Sequence, residues 1–470
     1  MPYKFEHADK TSHFDIVNNP EVVKFIHECD FMMEPSEEEG EKINGLFIDV
    51  PETDEALPEK VIAIDGSYYE ASVQNRIPST KIGYVKIGSL LIDRRQYRNL
   101  RVLKSRFVDP FRVAKMQENN SPITFPFPSS NIVLKGKRNV RDSFRYALDK
   151  HLYEHRTIKD RPDSSLRTTL FHMAALRTGE LGTDDPKRLR IHKCPSCGHR
   201  QVEVYDIPDE QYCPNCKSSV YPSDCLRIWE EVTDYQSNAS AFTRFMNVIE
   251  HIIPIHYIRI VREYYSESFA NILSNLAFFI DGPLAIFGNP AWIHASIMRY
   301  LYKINSELKK YGKGSILIIG LQKTGHVAEY FNLIADFIDN SRIFSITDDF
   351  RYNFITPNHE PSSNGFGYET YYGQDFLLKT GSGRTFVFAL PYPFASKTEN
   401  DFVTEKTVYS NYDCLAKAVR LIEDFECDLY ENAIVPIALA HKYTAISLEP
   451  GAKVLDLLSQ TGIKSATSGG

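Results

Sequence analysis

Four of the eight cysteines stand in two short pairs whose spacing is typical of a structural zinc site. Cys194 and Cys197 lie in KCPSCGHR, Cys213 and Cys216 lie in YCPNCKSS, and 15 residues separate the pairs. Two thiolates on one tight turn can take adjacent corners of a tetrahedron, and a second pair brought back by a hairpin closes it. A redox site needs only one CxxC pair. We therefore expect a zinc ribbon that holds Zn²⁺ through all four thiolates and folds around its own ion.

Two apolar runs end in the same residues, Ile-Asp-Gly. They are VIAIDG, which contains Asp65, and LAFFIDG, which contains Asp281. A single Asp-Gly after a strand is most often an ordinary turn. If the two strands are neighbours in one sheet, however, the carboxylates converge at its end and can share divalent cations, which offsets the cost of burying their charge. Carboxylate ligands suit Mg²⁺ or Mn²⁺.

An alternation of strands and helices must position these residues. Apolar runs predict strands near 61–66, 82–93, 276–282, 315–321 and 385–393. Helical periodicity predicts helices over 240–253, 295–312, 325–340, 413–426 and 435–447. Segments around 119–131 and 357–374 are rich in Pro, Ser, Asn and Gly and are expected to be surface loops. The pattern predicts an α/β protein.

The chain divides into four expected segments. An acidic N-terminal segment covers 1–57, the first part of the α/β domain covers 58–185, the ribbon is inserted at 186–225, and the second part covers 226–470. With 43% hydrophobic residues, the chain can form a large core. No apolar run approaches the roughly 18 residues of a membrane helix, and the start MPYKFEHADK has no apolar signal segment, so we expect a cytoplasmic protein with no membrane partner.

Charge is distributed unevenly along the chain. The net charge is −7, but residues 1–60 hold 16 acidic against 5 basic residues, which leaves the rest at +4. The stretches 135–161 and 187–193 are basic and interleaved with aromatic residues. They are either solvated helix faces or a surface that follows a phosphate backbone. The sequence contains no GxxxxGK[ST], so any ATP-driven movement along DNA requires a separate motor.

Several of these motifs, in this order, resemble those of the NurA nuclease family. AIDGSYYE and IGYVKIGSLLID resemble its first motif, FFIDGPLAIFG its second, and PIALAHKYTAIS its last, so that the similarity extends from about residue 58 to about residue 450. The resemblance implies an RNase H-like mixed sheet flanked by helices, with an acidic site that cleaves DNA using Mn²⁺ or Mg²⁺. In such a site two cations activate water and stabilise the leaving oxygen.

The resemblance also implies site residues. Asp65 and Asp281 would be metal ligands, with a helical glutamate before the second aspartate. Glu250 is preferred for that role because apolar residues surround it on its helix, and Glu263, which stands among polar residues, is the alternative. His441 on the last motif would act near the scissile phosphate or as a metal ligand. Lys323, which follows another strand, is either a phosphate contact or a turn residue.

Two positions depart from the family pattern. Tyr68 stands where an arginine is common in relatives, and no tyrosine shortly precedes His441. These departures concern the part of the site that would grip phosphate, and not the metal ligands.

By resemblance, the protein would be a homodimer that works with a HerA-type hexameric ATPase in DNA end processing or in anti-phage defence. The acidic segment 1–57 would dock on the ATPase or would cover the nuclease body itself. The alternatives are a non-catalytic zinc-ribbon DNA-binding protein and another RNase H-like enzyme of the transposase or resolvase type.

Overall fold

A nine-stranded mixed sheet with helices on both faces forms the centre of the protein. The computed structural model describes residues 14–29, 32–74, 77–99, 122–356, 362–398, 401–427, 434–446 and 455. The strands are β1 Ile48–Asp49, β2 Lys60–Gln74, β3 Ile77–Asp93, β4 Ile123–Pro128, β5 Arg188–Lys193, β6 Arg200–Tyr205, β7 Gln211–Tyr212, β8 Ser219–Val220, β9 Leu276–Asp281, β10 Leu317–Gln322, β11 Arg342–Ser345, β12 Gly373–Lys379 and β13 Thr385–Pro391.

The large sheet has a parallel centre, β10-β9-β2, with antiparallel pairs on both sides of it. Its order is β1-β11-β12-β13-β10-β9-β2-β3-β4. β2, β3 and β4 pair in antiparallel fashion, while β9 and β10 run parallel to β2. The helices are α1 Phe14–Val17, α2 Pro20–Glu28, α3 Glu37–Asn44, α4 Arg94–Asn99, α5 Val140–Glu154, α6 Leu166–Ala175, α7 Ala239–Tyr264, α8 Phe269–Ser274, α9 Ile293–Lys310, α10 His326–Ile334, α11 Asp348–Phe350, α12 Phe402–Glu405, α13 Leu415–Phe425 and α14 Val435–Thr444. The expected α/β class, with a mixed sheet flanked by helices, is confirmed.

Alternating side chains of the central strands supply two separate cores. Ile64, Phe278 and Ile280 belong to the core formed with α5, α6, α7 and α9. Val61, Ala63, Ala277 and Phe279, one residue out of phase, belong to the core formed with α13 and α14. Side chains alternate along a strand, so the next odd-numbered positions, 65 and 281, face the side of the sheet on which α13 and α14 lie.

The first Ile-Asp-Gly run does not end its strand, contrary to the sequence-based expectation. β2 continues through Asp65 to Gln74 because β3 pairs with it over nearly its whole length. The second run does end its strand at Asp281, and Gly282 turns the chain with φ of +108°. β2 continues past Asp65 while β9 ends at Asp281, which leaves a step in the sheet at the carboxyl ends of β9 and β10 that we call the crevice.

Three other expectations require correction. The segment expected as a loop at 119–131 contains β4, an edge strand in which Pro126 and Pro128 are tolerated because no further strand needs their missing N–H groups. Helix α7 passes through Pro254 and reaches Tyr264, because residues on both sides of the proline are buried. The segment expected as a loop at 357–374 overlaps β12, which begins at Gly373, and its residues 357–361 lie outside the described residues.

The cysteine-bearing region consists of two small hairpins, β5-β6 and β7-β8. Its apolar side chains are part of the same core as α5 and α6, with Leu189, Ile191, Val202 and Val220 all buried there. The ribbon was expected to fold independently around its own ion, but its apolar side chains are packed in a core that it shares with α5 and α6.

The N-terminal segment has two parts with different surroundings. In α3, Ile43 is buried, and β1 pairs with β11, so this part packs on the sheet. In contrast, α1 and α2 contain no buried residue. Among the described helices, none is long and apolar enough to cross a membrane.

Candidate active site

The register of the central strands brings the two aspartates together. Ile64 lies opposite Ile280 in the parallel pair β2-β9, so Asp65 and Asp281 occupy neighbouring positions in adjacent strands. Both side chains point to the face covered by α14. One oxygen of Asp65 accepts a hydrogen bond from the Gly66 N–H at 2.9 Å, and the residue is only 5% exposed.

Helix α14 adds two polar contacts to Asp65. The second oxygen of Asp65 lies 3.0 Å from His441 Nδ1 and accepts a hydrogen bond from Thr444 Oγ1 at 3.2 Å. His441 remains 58% exposed at its side chain, so its other nitrogen is available to solvent or substrate. Thr444 was not predicted as a site residue. Its position one helical turn after His441 places both side chains on the same face of α14.

Lys323 pairs with Asp281. Its Nζ lies 2.6 Å from Asp281 Oδ2, one residue after β10 ends. Burial and the negative charge of Asp65 raise the pKa of Asp281, while Lys323 and His441 oppose the shift. Lys323 therefore lies beside the aspartates, in the segment that directly follows β10.

Glu250 reaches the site from α7, on the other side of the sheet. Its approach depends on Gly66, because a Cβ on that glycine would lie 2.7 Å from Glu250 Oε1. The pKa of Glu250 is raised well above its ordinary value by burial and by the charges of Asp65 and Asp281. Glu250 is thus electrostatically coupled to both aspartates.

Glu263 lies in different surroundings. Its carboxylate pairs with Arg259 at 2.6 Å and lies 3.6 Å from His172 Nε2. Burial raises its pKa, but the charges that act on it are those of Arg259, Asp163 and Arg262 rather than those of the aspartate pair. The structure therefore brings Glu250, and not Glu263, to Asp65 and Asp281.

The position that departs from the family pattern faces away from the aspartates. Tyr68 is half-buried against Phe242 of α7, with the ring centroids 6.3 Å apart. Tyr68 therefore lies on the opposite face of the sheet from the Asp65 side chain. Lys323 is a cation that stands beside the aspartates.

The donor atoms fit a small divalent cation. One ligand atom each from Asp65, Asp281 and His441 lies within 4.8 Å of the others. Glu250 is not one of these three, but the charges of both aspartates act on it. Carboxylate oxygens with an imidazole nitrogen are a suitable donor set for Mn²⁺, and the oxygens alone suit Mg²⁺. A bound cation would also offset the repulsion that raises the pKa values of Asp281 and Glu250.

The four cysteines form a second cluster with tetrahedral spacing. Cys194 and Cys216 have their sulfurs 3.8 Å apart, and Cys197 and Cys213 have theirs 3.7 Å apart. A tetrahedron with Zn–S bonds of about 2.3 Å has S···S edges of about 3.8 Å. Hydrogen bonds from Ser218 lower the pKa of Cys216 to about 6, which favours the thiolate. The cluster is compatible with a zinc ribbon.

A large mixed sheet with an acidic crevice at the ends of its parallel strands defines an α/β protein with a centre suited to divalent metal ions. The chain belongs to the NurA domain family, whose model matches residues 59–446 and so includes Asp65, Asp281 and His441. This confirms the family resemblance read from the sequence.

Comparison with solved structures shows a similarity to the NurA nuclease from Sulfolobus solfataricus. The sequence identity is 8%, the TM-score is 0.33, and the alignment covers 97% of this chain and 96% of that chain. No curated protein matched the sequence.

Proposed function

We propose that the protein is a metal-dependent DNA nuclease that hydrolyses phosphodiester bonds at the Asp65–Asp281 centre. Membership of the NurA nuclease family supports nuclease activity. The observation that carries the proposal is the meeting of Asp65, Asp281 and His441 within 4.8 Å at the carboxyl end of β9, beside the parallel strand β2. A DNA-binding protein without catalysis has no need of a coupled acidic cluster in a crevice.

Asp65, Asp281 and Glu250 would hold the catalytic ions, with His441 as a further ligand or a proton carrier. When bound, Mn²⁺ or Mg²⁺ supplies Lewis-acid stabilisation of the charge that develops on the phosphate. Thr444 and the Gly66 N–H fix the orientation of Asp65 through their hydrogen bonds. Such fixing by neighbouring hydrogen bonds is what keeps a metal ligand in position.

His441 and Lys323 would act on the substrate. If His441 donates its Nδ1–H to Asp65, the exposed Nε2 can accept a proton from water or deliver one to the leaving oxygen. Lys323 neutralises Asp281 and stands at the same crevice, where its ammonium can contact a phosphate oxygen.

The proposed activity is tested by incubating the purified protein with linear and circular DNA, with and without Mn²⁺, and with Mg²⁺ in a parallel series. We expect degradation that requires the added cation. Intact linear and circular DNA in all reactions would contradict the proposed function.

We also propose that the Cys194, Cys197, Cys213 and Cys216 cluster holds one structural Zn²⁺ per chain. The double variant Cys213→Ser/Cys216→Ser should lose that zinc, as measured by elemental analysis of the purified protein. Because the ribbon shares its core with α5 and α6, the melting temperature of the double variant should also be lower than that of the unaltered protein. Cys414→Ser, which changes a buried thiol in the other core, is the control and should retain zinc. Full zinc in the double variant would place the ion elsewhere.

The partner we infer is a HerA-type hexameric ATPase, contacted by a homodimer of this chain. The observation that supports a docking element is the exposure of apolar side chains on α1 and α2, with Phe25 67% exposed and Ile26 57% exposed. Acidic residues Asp15, Glu21 and Glu28 accompany them, so the complementary surface on the ATPase would be basic with apolar pockets. A closed dimer follows the usual symmetry of such assemblies.

Removal of residues 2–31 should abolish docking on the ATPase without abolishing DNA cleavage. Residues 32–57 are retained because Ile43 and Phe47 are buried against the sheet. Size-exclusion chromatography of the co-expressed proteins measures the complex, and the double variant Phe25→Ser/Ile26→Ser tests the apolar face alone. Undiminished complex formation by the truncated chain would place the interface on the nuclease body.

A further inference from the structure

A cleft between the zinc ribbon and the loop before α5 has the chemistry of a phosphate-binding site. Its volume is about 320 Å³. Lys137 and Arg138 line one wall, and Lys217, Ser218 and Tyr221 line the other. We propose that this cleft, the ribbon cleft, binds the phosphates of a DNA strand that extends from the Asp65 site.

The walls of the ribbon cleft are held in place by buried and bridging contacts. Arg145 of α5 is 3% exposed and donates from Nε and Nη2 to the two oxygens of Asp224, at 2.7 and 2.6 Å. The same Nη2 donates to the Ser219 carbonyl of the ribbon at 3.0 Å. Arg138 Nη2 donates to Ser196 in the first cysteine pair at 3.2 Å. The cleft is therefore formed before any ligand arrives.

Carboxylates satisfy the arginines of the cleft but not its lysines. Asp142 pairs with both Arg138 and Arg145. Among the residues that the structure describes, no carboxylate forms an ion pair with Lys137, Lys217 or the adjacent Lys135, so three positive charges stand without a counter-charge. Lys137 is directed by Tyr221, whose hydroxyl accepts from its Nζ at 3.0 Å. Uncompensated cations around a preformed cleft favour a polyanion.

A short bonded path connects the ribbon cleft to β2, the strand that carries Asp65. Glu70 lies on β2 five residues beyond Asp65 and accepts hydrogen bonds from the Asn238 N–H at 3.0 Å. Four residues earlier, Asp234 accepts a hydrogen bond from the N–H of Val140, the first residue of α5, at 3.0 Å. The loop 234–238 thus joins the β2 surface to the helix end beside the cleft.

A groove continues along β2 towards that loop. Its volume is about 570 Å³, and its lining includes Gly66, Tyr68, Glu70 and Lys81. The groove lies on the α7 face of the sheet, from which Glu250 reaches the aspartates past Gly66. A DNA strand lying in it would leave the site past Gly66, in the direction of loop 234–238 and the lysines beyond it.

The side chains that line the ribbon cleft indicate which class of ligand it would bind. Lysine ammonium groups contact phosphates as point charges and carry no base specificity. The Tyr146 ring is occupied by Lys137, whose Nζ lies 4.0 Å from the ring centroid. The cleft would therefore grip the backbone of DNA irrespective of sequence. The choice of DNA rests on the proposed function, whereas the presence of a phosphate-binding cleft does not depend on cleavage.

The test compares two charge-removing double variants, Lys137→Gln/Lys217→Gln in the ribbon cleft and the control Lys309→Gln/Lys310→Gln at the exposed end of α9. Fluorescence anisotropy measures their binding to a labelled single-stranded oligonucleotide over a range of salt concentrations, without added Mn²⁺ or Mg²⁺. Loss of two phosphate contacts should weaken binding about tenfold at low salt and reduce the salt slope by about 1.4. The control should bind like the unaltered protein, and zinc content verifies that the ribbon is intact.

Unchanged affinity and salt slope in Lys137→Gln/Lys217→Gln would contradict the proposed binding of DNA in the ribbon cleft, as would an equal loss in the control. The outcome is separable from that of the proposed function. If the unaltered protein binds DNA through these lysines but fails to cleave it with Mn²⁺, the nuclease proposal fails and the cleft stands. If cleavage occurs and the lysines have no effect on binding, only the cleft is wrong.

Discussion

Asp65→Asn and Asp281→Asn should each reduce metal-dependent DNA cleavage by at least about 10³-fold, because each substitution removes an anionic ligand while it preserves the shape of the side chain. The rate is measured with linear DNA and saturating Mn²⁺. Asp49→Asn is the matched control, since Asp49 also ends a strand but its side chain is 90% exposed and far from the crevice in the strand order. Cleavage at the unaltered rate by either site variant would make that aspartate a structural residue only.

Loss of activity through unfolding is distinguishable from loss of a ligand. Burial and the charge of Asp65 raise the pKa of Asp281, so removing one of the two carboxylates relieves repulsion in the metal-free protein. The melting temperatures of both variants in metal-free buffer should therefore be equal to or slightly above that of the unaltered protein. A marked decrease would attribute the lost activity to the fold.

The second large effect concerns the third carboxylate. Glu250→Gln should lower the cleavage rate by about 10²-fold or more, whereas Glu263→Gln should retain most of it. Glu250 is coupled to Asp65 and Asp281, while Glu263 is paired with Arg259. Parallel rate measurements at saturating and limiting Mn²⁺ separate a lost metal ligand from a lost proton-transfer group. The reverse ranking of the two variants would assign the role to Glu263.

The stability of the Glu250→Gln variant relative to the unaltered protein should depend on pH. The folded pKa of Glu250 is raised above its ordinary value of 4.5, so the ionised side chain destabilises the metal-free fold above the raised pKa, and that cost disappears as the pH falls towards 4.5. Glu250→Gln should thus melt at a higher temperature than the unaltered protein at pH 8 in metal-free buffer, with a gain that shrinks on acidification.

The two Ile-Asp-Gly runs were visible in the sequence because an apolar run followed by an acid is a local pattern. Alternation of side chains in VIAID and LAFFID places Asp65 and Asp281 on one face once the strands are known to be neighbours, but from the sequence that pairing could be stated only as a condition. The CxxC spacing was sufficient by itself to predict the cysteine cluster.

The remaining features depend on contacts between distant segments. The continuation of β2 beyond Asp65 comes from its pairing with β3, and Gly66 matters only because α7 brings Glu250 against it. Pro126 and Pro128 suggest a loop until β4 is seen to be an edge strand. The shared core of the ribbon and α5 is likewise visible only after the chain has folded. Tertiary context overrides local preference in each of these cases.

The most direct test of the central claim, that Asp65 and Asp281 form a divalent-metal centre, is anomalous diffraction from crystals of the protein soaked with Mn²⁺. We predict an anomalous difference peak bounded by the carboxylates of Asp65 and Asp281, near His441 and Glu250, and the absence of that peak in crystals of Asp65→Asn. A fully occupied Mn²⁺ elsewhere, with none between the two aspartates, would contradict the account.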